Sequence, residues 1–116
     1  MEKENVSTAL LEEWIKNRQV AKLRELFETI PTIDLAEAAN DIEDIRDIVF
    51  IFKVVKSDYT AEFFTDLSSE VQEKVIHLFT DSELVTLLNA SYTDDIVDFM
   101  EEMPANLVSR ILKVVD

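Results

Sequence analysis

Apolar residues recur every three or four positions along almost the whole chain: Leu10, Leu11, Trp14 and Ile15, then Leu23, Leu26 and Phe27, and later Leu84, Leu87 and Leu88. That is the period of α-helices with one buried face, cut into segments by short polar breaks. The pattern predicts helices near 7–17, 19–29, 33–40, 43–55, 58–66, 69–79, 81–89, 93–102 and 104–115. Local signals support the breaks. Thr80-Asp81-Ser82-Glu83 has the capping-box spacing, a hydroxyl for the N3 amide and a glutamate that reaches back, so a helix begins near Asp81. Pro104 suits the first turn of the last helix, where its missing N–H costs nothing, and Pro31 separates the second helix from the third.

Ile48-Val49-Phe50-Ile51-Phe52-Lys53-Val54-Val55 is the ambiguous stretch, rich in β-branched and aromatic residues and short enough to be a buried strand. An internal repeat decides it. Ala61-Glu62-Phe63-Phe64-Thr65-Asp66-Leu67 laid over Val97-Asp98-Phe99-Met100-Glu101-Glu102-Met103 pairs apolar with apolar and acidic with acidic, and the match runs on to Phe79 over Val115. Ala36-Glu37-Ala38-Ala39 opens a weaker third copy whose second half holds the doubtful stretch, which places it on a helix. Each unit is a short helix, a tight turn and a longer helix. Neither helix can bury its apolar face alone, so the expected architecture is an all-α array of stacked, short antiparallel helices, one domain over residues 1–116.

Charge changes this picture. With 25 Asp plus Glu against 11 Lys plus Arg, the net charge is −14. The excess disfavours nucleic acid and anionic lipid as partners and favours cations or basic proteins. Lys16, Arg18, Lys22 and Arg24 are expected to pair with Glu12, Glu13, Glu25 and Glu28 along the first two helices. The longest apolar run, Ile48 to Phe52, is far short of the ~20 residues that span a bilayer, so no direct membrane insertion of this segment is expected. Without cysteine there is no thiolate nucleophile and no zinc–thiolate site, a usage compatible with the cytoplasm. Without glycine, phosphate-cradling loops and EF-hand loops lose the residue they turn on. His77 has no nucleophilic partner in the sequence and reads as a structural helix residue, and the aromatic residues, at helical spacing, read as core. Catalysis is not expected.

The chemistry that remains is carboxylate chemistry. In Tyr92-Thr93-Asp94-Asp95-Ile96-Val97-Asp98, Asp94 and Asp98 lie four apart on one helix face and repel each other. Asp94 and Asp95 are partly relieved by a helix N-terminus, Asp98 less so. A divalent cation would turn the repulsion into attraction, and hard oxygen ligands select magnesium, calcium or manganese. Glu62 holds the position equivalent to Asp98 in the repeat. A solvated acidic face is the simpler explanation of the same residues.

The ordered series Thr60-Ala61-Glu62-Phe63-Phe64, Leu67-Ser68-Ser69-Glu70-Val71-Gln72, Leu84-Val85-Thr86-Leu87-Leu88 and Asp94-Asp95-Ile96-Val97-Asp98-Phe99-Met100-Glu101-Glu102-Met103-Pro104 resembles the cytosolic N-terminal domain of MgtE-family magnesium transporters, and Leu10 to Ile33 fits its beginning. The resemblance implies a right-handed superhelix of short helices. It also implies Mg2+ sites shared with CBS domains, with Glu62, Asp94 and Asp98 as ligands and Asp95 as a neighbour, Mn2+ and Ca2+ being the alternative ions. The implied partners are the CBS domains and transmembrane pore of the same longer protein, a homodimer at the cytoplasmic face of the cell membrane. High magnesium would bridge the acidic face to the CBS domains and close the pore, and low magnesium would release it. This chain is then expected to be a segment of that longer protein and to bind Mg2+ weakly alone. Serines at Ser68-Ser69 and Ser91-Tyr92 stand where family members open helices with proline, which puts those turns in question. The rival reading is a helical-repeat interaction scaffold, as in the related flagellar motor switch proteins, that meets a basic partner without metal.

Overall fold

The computed structural model describes residues 6–90, 101 and 105–115. Eight helices make up these residues, with no strand among them: α1 (Thr8–Lys16), α2 (Val20–Thr29), α3 (Thr32–Ala39), α4 (Ile45–Val54), α5 (Ser57–Asp66), α6 (Ser69–Leu78), α7 (Asp81–Ala90) and α8 (Ala105–Val115). The fold is all-α, as expected. The doubtful 48–55 stretch lies on and just after α4, with Ile48, Val49 and Ile51 buried. The helix expected over 93–102 and the role of Pro104 lie outside the described residues.

Each helix packs against the one two along: α1 on α3, α3 on α5 and α5 on α7 form one row, α2 on α4 and α4 on α6 a second, and α8 packs on α7. This is what units with one apolar face each require, because burial comes from the neighbouring unit. A buried cluster runs from Leu11 through Leu23, Leu35, Ile48, Phe63, Ile76 and Leu84 to Ile111. Phe52 is its aromatic hub, with its ring centroid 5.6 Å from Phe63, 6.2 Å from Phe64 and 5.3 Å from Phe79; Phe27 meets Phe63 edge-on at 5.0 Å.

How a chain without glycine turns so often is visible at the helix ends. Helices α2, α4, α5 and α6 stop at Ile30, Val55, Leu67 and Phe79, all extended with negative φ, so no left-handed cap is needed. Side chains from elsewhere reach the terminal carbonyls instead. Arg24 Nε donates to Val54 O at 2.7 Å, Gln72 Nε2 to Phe64 O at 2.8 Å, and the Arg110 guanidinium to Ile76 O and Phe79 O. Arg18 alone among the described residues has positive φ, 55°. Its guanidinium lies 4.8 Å above the Phe50 ring, an attraction that offsets part of the cost of about 1–2 kcal/mol for that backbone region.

The N-termini follow side-chain chemistry. Thr80 and Glu83 form the expected capping box: Thr80 N–H donates to Glu83 Oε1 at 2.9 Å and Glu83 N–H to Thr80 Oγ1 at 3.1 Å. Ser68, at one of the turns in question, caps α6 by accepting the Val71 N–H at 3.3 Å, and its own N–H donates to Asn40 Oδ1 at 3.0 Å. The serine therefore opens this helix by hydrogen bonding. Ser91 and Tyr92 lie outside the described residues.

The basic residues of α1 and α2 differ from expectation. Among the described residues none of Lys16, Arg18, Lys22 and Arg24 forms an ion pair with Glu12, Glu13, Glu25 or Glu28. Lys22 Nζ lies 5.5 Å from the Trp14 ring centroid, and Arg18 and Arg24 reach to α4. An exposed intrahelical pair gains only about 0.3–0.5 kcal/mol, which an aromatic face or a helix-end carbonyl readily outcompetes.

Candidate functional site

Glu62 stands on the outer face of α5, exposed, between the buried Ala61 and Phe63. Thr60, Ala61, Phe63 and Phe64 anchor the inner face, and the helical period turns Glu62 outward. Asp66, one turn further along, lies beside it, half-buried. Thr32 Oγ1, at the start of α3, donates to Asp66 Oδ2 at 3.0 Å, which fixes this carboxylate against the N-terminal end of α3, where the helix dipole favours an anion. Among the described residues no basic side chain pairs with Glu62.

Both carboxylates line a cleft of about 430 Å³ between the α2–α3 turn and α5, with Phe27, Ile30 and Ile33 on one side and Tyr59, Glu62 and Asp66 on the other. Its lining carries no cation. The arrangement presents hard oxygen donors to solvent beside an apolar wall. An exposed carboxylate with a half-buried one beside it suits a hydrated magnesium ion, which keeps most of its waters and takes one or two protein carboxylates. Among the described residues no three His, Cys, Asp or Glu side chains converge to hold a metal, so Glu62 and Asp66 form part of a coordination sphere at most. Asp94, Asp95 and Asp98 lie outside the described residues. Asp66 was missed in the sequence, although its i, i+4 relation to Glu62 repeats that of Asp94 and Asp98, and the repeat lays it over the acidic Glu102.

A second acidic group, at the α1–α4 contact, is structural. Glu12 Oε2 accepts the Glu43 N–H at 3.3 Å, and Asp44 caps α4 at the Arg46 N–H, 3.0 Å, while pairing with the Arg46 guanidinium. Burial, with the Asp44 and Glu12 charges, pushes the Asp47 carboxyl up, against the pull of Arg46 and Arg18. Folded Asp47 thus holds its proton more tightly than in the unfolded chain, so its ionised form weakens the fold at neutral pH and the penalty fades as pH falls into the carboxylate range. Glu83 has the opposite sign: the Thr80 backbone hydrogen bond, with help from Lys53 at 3.3 Å, holds it below its ordinary value, so its contribution is present at neutral pH and lost in acid. Asp47→Asn is expected to raise the melting temperature at neutral pH and Glu83→Gln to lower it. Both differences should shrink in thermal melts below about pH 4.

The described helices include none long and apolar enough to cross a membrane. The chain matches the family described as the MgtE intracellular N domain over residues 30–116, with residues 1–29 outside the matched span. No individual curated protein matches it.

Proposed function

The chain belongs to the MgtE intracellular N domain family, and from that premise we propose that residues 1–116 form the intracellular regulatory domain of a magnesium transporter, gating its pore through magnesium held between this domain and CBS domains of the same protein. The observation that carries the reading is Glu62, an exposed carboxylate on α5 with no basic partner among the described residues and with Asp66 beside it. Glu62, Asp94 and Asp98 would hold the ion, with Asp95 a neighbour, and the partner surface would complete its oxygen shell. Magnesium supplies charge neutralisation between two acidic surfaces. The chain's own part is to present these carboxylates, Glu62 from the outer face of α5, so that the partner surface is attracted when the ion is present and repelled when it is absent. The role is regulatory and involves no catalysis. It places this segment at the cytoplasmic face of a membrane, in a dimeric transporter, with stacked helices that curve as a right-handed superhelix.

The cation-free lining of the cleft favours a second reading, a scaffold that meets a basic partner without metal. Thermal melts with and without Mg2+, matched in ionic strength with a monovalent salt, separate the two. At a metal concentration equal to Kd the sensor reading predicts a rise of about 2 °C. A chain of net charge −14 also gathers divalent ions diffusely. The rise must therefore disappear in Glu62→Gln with Asp98→Asn; a rise that persists there, or a melt that Mg2+ leaves unmoved even with the CBS region attached, favours the scaffold.

A further inference from the structure

The cleft beside Glu62 combines two features that a hydrated magnesium ion does not use together. Ile33 is 60% exposed, the most exposed large hydrophobic among the described residues, and it shares the lining with Ile30, Tyr59 and the buried ring of Phe27. Opposite stand Glu62 and Asp66, with no cation in the lining. We propose that this cleft receives a cationic side chain, an arginine or lysine, from a partner protein, its methylene stem against Ile30, Ile33 and Tyr59 and its charged head at Glu62 and Asp66.

Charge complementarity selects this occupant. A purely apolar side chain would strip water from two carboxylates and return no counter-charge. A magnesium ion with its water shell satisfies the carboxylates and leaves the apolar wall wet. A long basic side chain meets both requirements, because its stem is apolar and its head is charged. Tyr59 adds a π-face for the same head. The receiving surface is built in advance: Phe27 is locked edge-on against Phe63 at 5.0 Å, and Thr32, 9% exposed, holds one oxygen of Asp66 while the carboxylate keeps further lone pairs to accept a partner. The proposal does not rest on the magnesium reading; the two meet at Glu62, where the occupants would compete.

The test is an amide NMR titration of the 116-residue chain with n-butylguanidinium, against guanidinium and the neutral n-butylurea, at constant ionic strength. The expected result is saturable shifts at Ile30, Ile33, Tyr59 and Glu62 with n-butylguanidinium only. Affinity should fall at least fivefold in Glu62→Gln with Asp66→Asn, which keeps an acceptor for Thr32. Ile33→Ser, at an exposed position that the fold does not need, should weaken binding about threefold. Equal shifts with guanidinium or n-butylurea, shifts centred elsewhere, or undiminished affinity in the double variant would overturn the proposal. A magnesium response at Glu62 without an n-butylguanidinium response overturns it while leaving the magnesium reading standing.

Discussion

Phe63→Ala is expected to lower the stability of the chain by about 3–5 kcal/mol, which is a large part of the 5–15 kcal/mol typical of small domains. The ring is fully buried and touches two others, Phe27 from α2 and Phe52 from α4. Its loss therefore opens a cavity where three helices meet, and stacked units have no other core to fall back on. Urea unfolding reads the effect as a fall in midpoint of about 1–3 M for a slope typical of this size. Ile33→Ser, at a 60% exposed site, should stay within about 0.5 kcal/mol of the parent chain. A Phe63→Ala midpoint as close to the parent as that would contradict the packing described.

Neutralising the acidic face should have the largest functional effect. In the longer transporter that the proposed function implies, Glu62→Gln, Asp94→Asn and Asp98→Asn together are expected to raise the magnesium concentration needed for closure at least tenfold. That corresponds to about 1.4 kcal/mol of lost bridging free energy, a modest demand for three carboxylates. Ion flux recorded against intracellular magnesium measures it. Asp58→Asn, on α5 but outside the cleft lining, controls for loss of general negative charge and should leave the curve in place. An unchanged curve in the triple variant would exclude these residues from gating.

Most of the fold was legible because its units are local. The 3.6-residue period, the capping box at Thr80 and the repeat placed every described helix to within about two residues, including α4, whose β-branched content argues for a strand when read alone. Burial of Ile48, Val49 and Ile51 against neighbouring helices overrides that preference, and only the repeat carried this information in the sequence. The basic residues were misread for the converse reason. Sequence spacing sees partners three or four positions away, whereas Arg24 satisfies a carbonyl 30 residues on. The left-handed turn at Arg18 gave no glycine to mark it. At the candidate site, Glu62 was legible through the repeat. The cleft was not, because it exists only where the α2–α3 turn meets α5, and its apolar wall belongs to residues that look like ordinary core positions when read along the chain.

The measurement that bears most directly on the central claim is paramagnetic broadening of amide resonances by trace Mn2+, a hard-oxygen stand-in for Mg2+, followed by displacement with excess Mg2+. It locates a weak site that a melt reports only as an average. Broadening is expected to centre on Glu62 and on residues 94–98, relieved by Mg2+ and not by an ionic-strength match of monovalent salt. Broadening spread over all acidic surfaces alike, or unrelieved by Mg2+, would show that the carboxylates gather ions without forming a magnesium site.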